Sequence, residues 1–370
     1  MSPAGGAKST NRRTSIREVA AAAGVAIGTV SKALSNDPEI SSATRERVTA
    51  AANALGYRPS AAASGLKRGR SGNIGVVITA QSAPVFLNLF YAEVLGGIEE
   101  SLEAAELHLL LTSLKRGDDL LHLAAERRAD GLLVIGPCIP SAIVLQLSGL
   151  IPTVLVDHEL DGVTGVTGDN EPGMARAAAH LFDTGRRRPG FICENAENVN
   201  FAARLRGFQR GFAERGLARG AVNAISNVRV QDVPQAVRRL LDAGVDAIGA
   251  SNDNFALTVR EALLAMDVSF TRVAVVGYDG LRDPSGIAPS LTTMRVDRRR
   301  LGREGVRLLL ERLADPSLGP DHLIIPTTLH IGRTTPEVTP NPSLHPYAGT
   351  LKKEVEHAPE PTKVGPEAHQ

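Results

Sequence analysis

Tryptophan is absent from this chain of 370 residues, aromatic residues make up 4% of it, and it has only two cysteines. Cys138 and Cys193 lie in or beside apolar, strand-like runs, which is typical of reduced thiols. No apolar run approaches the ~18 residues that a membrane helix needs. The first 15 residues include three basic ones but no apolar block follows them, so we expect no secretory signal, no membrane contact and a cytoplasmic protein.

The motifs of common enzyme classes are also missing. The chain has no Gly-x-Ser-x-Gly elbow, no Gly-x-x-x-x-Gly-Lys phosphate loop and no His-Glu-x-x-His zinc motif. Its nine histidines are scattered without the spacing of metal ligands. We therefore expect no catalysis, no metal and no cofactor.

Positive charge is concentrated at the amino end. Residues 1–70 contain eleven Lys or Arg and four Asp or Glu, a net charge of +7, whereas the rest of the chain carries −6. This imbalance indicates a head that binds a polyanion, attached to a weakly acidic body. From charge alone, a solvated charged tail is an equal alternative.

The sequence of this basic region predicts three short helices. The first begins at Ser15 with the spacing of a capping box and ends at Gly24. The second begins at Val25, and the third runs from Ser41 to Gly56, each with apolar residues at helical spacing. Two short helices joined by a tight turn, with a third closing the core, form a helix-turn-helix domain.

The second predicted helix turns small or hydrogen-bonding side chains and one cation outward. These residues are Ile27, Gly28, Ser31, Lys32 and Ser35. Such a face can approach phosphates and base edges in a major groove, although many small helical domains have a polar face. Because charge, capping and turn agree, we expect DNA binding.

Three segments of this region, Ser15–Ser35, Thr44–Val48 and Leu55–Pro59, resemble the DNA-binding head of the lactose/galactose-repressor (LacI/GalR) family of transcriptional regulators. The resemblance implies that three residues read bases: Ile27, Gly28 and Lys32. The other DNA-binding positions implied for the head, most of which anchor phosphates, are Ser15, Thr29, Ser31, Ser35 and Thr44. Ala26 departs from the family pattern, in which a serine usually caps the second helix.

Residues 59–72 are predicted to be a linker whose short helix folds only on DNA. Its helix-permissive part is about seven residues long, below the ~12–15 that an isolated helix needs. Leu66, its only large apolar residue, precedes Lys67, a pair that fits a wedge inserted between base pairs in the minor groove. The family resemblance implies the same role, and a plain interdomain linker is the alternative.

From Asn73 onward, short apolar strands alternate with amphipathic helices, which is typical of parallel sheets covered on both faces. The predicted strands are Ile74–Ile78, His108–Thr112, Gly131–Ile135, Thr153–Asp157, Gly190–Cys193, Ala247–Ala250 and Val273–Gly277. This run is too long for one sheet, so we expect two lobes. Gly162, Gly165 and Gly168 are predicted to form turns where the chain crosses between them.

Polar residues follow several of these strands. They are Asp157, His158, Asn252, Asp253 and Asp279, and Arg204 lies on a predicted helix. Ligands of parallel sheets bind at the carboxyl ends of the strands. Carboxylates, an amide and a guanidinium at that edge predict a hydrogen-bonding site for a polyhydroxylated or otherwise polar ligand.

The resemblance to the LacI/GalR family continues through the body. The matching segments are Asn88–Glu93, Asp130–Leu133, Arg204–Phe208, Ser251–Asp253, Val276–Asp279 and Pro289–Thr293. The resemblance implies a periplasmic-binding-protein-like fold with three crossovers between lobes. It places the effector contacts at Phe90, Tyr91, Asp157, Arg204, Asn252 and Asp279. Without tryptophan, Phe90 or Tyr91 would replace the ring that stacks on a sugar in some members.

The sequence thus predicts an N-terminal all-α helix-turn-helix head and an α/β body of two parallel-sheet lobes. We expect a disordered basic arm over 1–13, the head over 14–58, the hinge over 59–72, the body over 73–338 and a disordered tail over 339–370. The N-lobe is predicted to comprise about 73–162 and 292–325, and the C-lobe about 163–291 and 326–338.

We accordingly expect a homodimeric transcriptional regulator, a repressor, that binds double-stranded operator DNA. A small polar effector, such as a sugar or a derivative, would bind between the lobes and control the affinity for DNA. A solute-binding receptor without DNA function is the alternative, but it would need an export signal and no basic head. A DNA-binding enzyme would need catalytic geometry that the sequence does not indicate.

Overall fold

The computed structural model describes residues 14–58, 70–78, 88–113, 121, 124, 126, 128–136, 139–218, 220–281 and 290–336. The head consists of α1 (Ile16–Ala23), α2 (Ile27–Leu34) and α3 (Ser42–Ala54). These helices pack around three valines without solvent exposure, Val19, Val30 and Val48, one from each helix. A helical pattern of small apolar residues is therefore enough to close this core.

The ends of the head helices follow from local chemistry. The Glu18 carboxylate accepts hydrogen bonds from the backbone N–H and the hydroxyl of Ser15, at 2.7 and 2.9 Å, which holds the first turn of α1. Gly24 ends α1 with φ of 64°, in the left-handed region that favours glycine. Leu55 lies past the last turn of α3 and is 39% exposed.

The described body contains two six-stranded sheets, which confirms the predicted α/β class of two lobes. The N-lobe sheet consists of β1 (Asn73–Ile78), β2 (His108–Ser113), β3 (Gly131–Ile135), β4 (Thr153–Val156), β5 (Gly165–Gly168) and β11 (His322–Ile325). Its order is β11-β5-β4-β3-β1-β2, with all neighbours parallel. Its helices are α4 (Leu89–Ala104), α5 (Ser141–Leu150) and α10 (Arg298–Ala314).

The C-lobe sheet consists of β6 (Pro189–Ile192), β7 (Asn223–Ile225), β8 (Ala247–Ala250), β9 (Ala274–Asp279), β10 (Thr292–Arg295) and β12 (Thr328–His330). Its order is β12-β10-β9-β8-β6-β7, parallel except for β12, which runs antiparallel to β10. Its helices are α6 (Asn170–Asp183), α7 (Val199–Ala213), α8 (Val233–Asp242) and α9 (Asp253–Ala265). None of the helices described in either lobe or in the head is long and apolar enough to span a membrane.

The chain passes between the lobes three times, after β5, β10 and β11. Two predicted lobe boundaries differ from this course. Gly165–Gly168 is a buried strand of the N-lobe rather than a turn opening the C-lobe, because it pairs with β4 and β11, and Gly165 leaves room for the Leu155 side chain of β4. Thr292–Arg295 belongs to the C-lobe rather than the N-lobe, and its buried threonine hydroxyls are hydrogen-bonded there.

In each lobe, two helices on one face of the sheet come into close backbone contact at a glycine of one of them. A Cβ atom on Gly97 of α4 would overlap the backbone carbonyl oxygen of Arg299 in α10. A Cβ atom on Gly207 of α7 would likewise overlap the carbonyl oxygen of Glu171 in α6. Glycine is therefore required at these positions for close approach of the two backbones.

Candidate functional site

The outer face of α2 carries the residues predicted to read bases. Ile27 is 46% exposed, Gly28 is exposed, and nothing lies within 4 Å of where a Cβ atom on Gly28 would stand. Val30 and Ala33 point into the core instead. This arrangement leaves the first turn of α2 open to close approach by another molecule.

Lys32, the predicted polar base reader, is half-exposed on α2 and forms an ion pair with Glu39. The hydrogen bond that Lys32 donates to Glu39 raises the pKa of its amino group, which is therefore charged at neutral pH. Lys32 would have to leave Glu39 to contact a base. The base-reading role of Lys32 stays a prediction.

The predicted phosphate contacts of the head lie around the same face. Thr29 and Ser31 lie on α2, and the Ser35 hydroxyl donates to the carbonyl oxygen of Ser31 at 2.9 Å. Ser15 is exposed at the start of α1, and the Thr44 hydroxyl accepts from Ser41 at 3.0 Å. Their DNA contacts stay predictions.

The two remaining predicted DNA contacts, Leu66 and Lys67, lie outside the described residues. The same is true of the predicted arm over 1–13, most of the hinge over 59–72 and the tail over 339–370. The wedge therefore stays a prediction from sequence.

The cleft predicted in the body forms where the carboxyl ends of the strands of both lobes meet. Asp157 follows β4 of the N-lobe, and Asp279 ends β9 of the C-lobe. Asn252 caps α9 after β8, and Arg204 lies on α7. All four side chains are buried.

Arg204 connects most of this cluster. Its Nη1 lies 3.3 Å from Oδ1 of Asp279 and donates to the backbone carbonyl of Ser251 at 2.7 Å. Its Nε donates to Oδ1 of Asn170 at 2.8 Å. The guanidinium also lies over the ring of Tyr278, 3.8 Å from the ring centroid. A cation held by four groups in this way has a fixed position and little freedom to leave.

The backbone of Asp157 in the N-lobe is hydrogen-bonded to the C-lobe. Its backbone carbonyl accepts a hydrogen bond of 2.8 Å from Nδ2 of Asn200 on α7, and Asn200 also accepts from Asn170 at 3.3 Å. Burial raises the pKa of the Asp157 carboxyl to about 7, although the charge of Arg204 lowers it. The structure thus brings together Asp157, Arg204 and Asp279, three of the predicted effector contacts.

Asn252 has a structural role as well as its predicted one. Its Oδ1 accepts the backbone N–H of Phe255 at 2.9 Å, which caps α9, and its Nδ2 donates to Glu194 at 3.1 Å. Its neighbour Ser251 is the residue that contacts Arg204. Asn252 therefore lies next to the cluster.

Phe90 and Tyr91 lie at the start of α4, with ring centroids 5.6 Å apart in an edge-to-face arrangement. Phe90 is buried in the main hydrophobic core, and Tyr91 is partly buried against it. Because α4 follows β1, both rings lie at the same edge of the N-lobe sheet as Asp157. Contact with an effector stays a prediction for both.

Three further residues complete the cluster, and sequence analysis missed them. Asn200 precedes Arg204 by four residues, a spacing that places both on one helix face and could have indicated it. Asn170 follows β5, where the sequence predicts a turn. Arg298 is the first of three consecutive arginines, so its sequence does not distinguish it from the exposed ones.

Arg298 joins the cleft to the N-lobe helices. Its Nε and Nη2 donate to the Glu93 carboxylate on α4 at 3.1 and 3.0 Å, and its Nη1 donates to the carbonyl oxygen of Asp279. Two arginines therefore hold Asp279, one through its carboxylate and one through its backbone. The site offers fixed donors and acceptors that suit a polar ligand.

Among the residues that the structure describes, no three His, Cys, Asp or Glu side chains are grouped so that they could hold a metal ion. Asp253, which also follows β8, accepts hydrogen bonds from the Thr293 hydroxyl and the backbone N–H of Leu281, both at 2.7 Å. This carboxylate is therefore engaged with protein donors.

Two family profiles match the sequence. One, described as bacterial regulatory proteins of the lacI family, matches residues 15–60, and one described as a periplasmic binding protein-like domain matches residues 178–335. The chain is 30% identical over 318 residues to the HTH-type transcriptional repressor PurR of Photobacterium profundum, covering 81% of the chain and 92% of that relative. It is also 30% identical over 318 residues to the ribose operon repressor of Escherichia coli strain K12, covering 82% and 94%.

Solved structures with the same fold include regulators bound to ligand and to DNA. A complex of the transcriptional regulator CelR with cellobiose has a TM-score of 0.64 and 28% identity, covering 87% of this chain and 100% of that one. A lac repressor dimer bound to operator and the anti-inducer ONPF has a TM-score of 0.76 and 22% identity, covering 88% and 99%. These likenesses span both the head and the body.

Proposed function

Since the chain belongs to the lacI family of bacterial regulatory proteins, we propose that a small polar effector, bound between its two lobes, controls its affinity for operator DNA. The chain is a DNA-binding transcriptional repressor of that family. The relatives named above are repressors. We therefore propose that the body binds its ligand without converting it chemically. A repressor acts on the chromosome, so the proposal places the protein in the cytoplasm.

One observation carries the effector part of the proposal. The Arg204 guanidinium is held by Asp279, Ser251 and Asn170 of the C-lobe, and its charge acts on Asp157 of the N-lobe. A ligand that hydrogen-bonds to Arg204 and to either carboxylate would therefore touch both lobes. Such a ligand stabilises the arrangement in which the lobes are closed, because only that arrangement makes both sets of contacts.

We propose that the effector is a neutral sugar or a related polyol. The ribose operon repressor and the CelR complex with cellobiose are both similar to this chain, and the name of each refers to a sugar. The cleft also supplies paired arginine and aspartate groups, which together hydrogen-bond hydroxyl groups well.

The proposal assigns DNA binding to the outer face of α2, with Ile27, Gly28 and Lys32 toward the bases. Two heads of a homodimer would contact half-sites in successive major grooves of a near-palindromic operator. Closure of the lobes would change the geometry of the dimer, and hence the ability of both heads to bind at once.

The test begins with the full chain and a random DNA library. We expect selection to enrich a near-palindromic sequence, and at least one sugar in a thermal-shift screen to raise the melting temperature. That sugar should change the affinity for the selected DNA by about fivefold or more, a typical allosteric coupling. Enrichment of no sequence would contradict the DNA-binding part, and enrichment without any sugar effect would contradict the effector part.

A further inference from the structure

His158 occupies a position that the proposed function does not use. It follows Asp157 at the carboxyl end of β4, and the peptide bond between the two residues accepts the hydrogen bond from Asn200 of the C-lobe. The residue is 5% exposed. Both of its ring nitrogens are buried and have no hydrogen-bond partner among the residues that the structure describes. His158 is therefore an unsatisfied polar group at the meeting of the lobes.

Three other polar side chains of the cleft contrast with it, although the Tyr278 hydroxyl is also buried without a hydrogen-bond partner among the described residues. Arg204, Asn170 and Asn200 each have protein partners within 3.3 Å. A histidine elsewhere in the body, His180 on α6, has its Nε2 2.9 Å from the Thr335 hydroxyl. Buried polar groups in native proteins are nearly always paired, so one left unpaired beside a ligand cleft indicates that its partner comes from outside the chain.

The protonation of His158 limits what that partner can be. Burial lowers the pKa of its imidazole to about 4, so the ring is neutral near pH 7. A neutral imidazole has one N–H donor and one acceptor nitrogen. A hydroxyl group can serve either nitrogen, because it both donates and accepts. A carboxylate or a phosphate dianion offers acceptors alone and would leave one nitrogen unpaired.

We propose that His158 is a specificity-determining contact for the effector, whose hydroxyl groups hydrogen-bond both ring nitrogens. This inference rests on the effector cleft proposed above and deepens it. His158 selects ligands that present hydroxyl groups to its ring over ligands that present only a carboxylate or a phosphate there, since only the former satisfy both nitrogens. Because the ring is unpaired without ligand, His158 disfavours the ligand-free closed state and favours the ligand-bound one.

The first part of the test needs no ligand and uses the full chain. His158→Leu keeps the approximate size of the side chain and removes both unpaired nitrogens. We expect it to raise the melting temperature by about 2 °C or more. The matched control, His180→Leu, removes a paired nitrogen and should lower the melting temperature. A lower melting temperature for His158→Leu would overturn the proposal, because it would mean that the ring is already satisfied by the protein.

The second part measures ligand binding by calorimetry. The probes are D-ribose, D-glucose, D-galactose and cellobiose, with inorganic phosphate and succinate as anionic probes that have no alcohol hydroxyl group. We expect the wild type to bind a neutral sugar more tightly than the anionic probes, and His158→Leu to weaken that binding about tenfold or more. His158→Gln, which keeps one donor and one acceptor, should lose less than His158→Leu.

Each other outcome also decides the question. Binding of the sugar by His158→Leu within about twofold of the wild type, or tighter binding of an anionic probe by the wild type, would overturn the proposal. If the wild type binds no probe, the sugar class of the proposed function is wrong, and the melting temperatures alone decide the role of His158. Failure of the effector proposal is thus distinguishable from failure of the His158 proposal.

Discussion

Arg204 is a residue with many partners in the cleft, and its geometry explains why arginine is needed there. The planar guanidinium contacts Asp279, Ser251 and Asn170 while its face lies over Tyr278. A lysine at this position would keep the charge but could not make the same forked set of hydrogen bonds.

We therefore expect Arg204→Lys to weaken effector binding by about tenfold or more, as measured by calorimetry with the sugar found in the screen. Arg206→Lys is the matched control, because Arg206 lies on the same helix with a side chain that is 59% exposed. It should bind within about twofold of the wild type. Equal effects of the two substitutions would contradict the role of Arg204.

Asp157 should lower the free energy of unfolding as the pH rises, whereas most carboxylates raise it. Its pKa is about 7 in the folded protein and ordinarily 3.8, so between these values the folded chain binds more protons than the unfolded one. The contribution of Asp157 to stability is full below about pH 4 and is lost as the pH rises to about 7. His158 has the opposite dependence, since its pKa is lowered to about 4.

Asp157→Asn isolates this effect, because asparagine does not titrate and His158 is present in both proteins. The difference in the free energy of unfolding, variant minus wild type, should rise between about pH 4 and 7 and stay constant above pH 7. The rise should be at most about 4 kcal/mol, since one pKa unit corresponds to about 1.4 kcal/mol. Urea denaturation at several pH values measures it, and a flat difference would contradict the raised pKa of Asp157.

At the scale of elements, α2 begins without a side-chain cap. Its N-cap is Ala26, with an extended backbone that suits a capping residue. We expect Ala26→Ser to stabilise α2 by about 0.5–2 kcal/mol. Slower hydrogen exchange of the α2 amides in the full-length variant than in the wild type would show this stabilisation. Ala22→Ser, at an exposed position within α1, is the matched control and should give no protection.

The contact of α6 with α7 predicts an unusual response to alanine. Gly207→Ala should destabilise the protein by about 1–3 kcal/mol, because the new methyl group overlaps the backbone of α6 at Glu171. Gly149→Ala on α5, where nothing lies within 4 Å, should instead stabilise it by up to about 1 kcal/mol. Opposite shifts of the melting temperature are the expected result, and shifts of the same sign would contradict the close contact.

The sequence predicts some elements much better than others, for physical reasons. Gly131–Ile135 and Ala247–Ala250 are found at the predicted bounds, because continuous apolar runs are a local signal. Gly165–Gly168 and Thr292–Arg295 lack such a run, and their lobe is decided by pairing with distant strands. Asn170 and Arg298 in the cleft were missed for the same reason, since their partners come from other parts of the chain.

For the whole molecule, the basic head predicts strong dependence of DNA binding on salt. If the dimer neutralises about six or more phosphates, its affinity for the selected operator should fall about 10³-fold or more between about 50 and 200 mM salt. Binding of a neutral sugar in the same buffers should change little and serves as the control. A flat salt profile for DNA would contradict phosphate contact by the head.

The division of labour between head and body can be tested by truncation. A chain of residues 71–370 lacks the eleven basic residues of the first seventy but keeps the described part of both lobes. We expect it to bind the sugar with the affinity of the full chain and to lose operator binding in a mobility-shift assay. Retained operator affinity would show that the body binds DNA by itself.

The interleaving of the two sheets has a consequence for synthesis on the ribosome. The head lies at residues 14–58 and can emerge and fold early, whereas β11 and β12 emerge last. Because these two strands belong to different sheets, a premature stop codon shortly before residue 322 would remove an edge strand from both lobes at once. Such an allele would leave cells with a DNA-binding head joined to two incomplete lobes, rather than with one intact lobe and one missing.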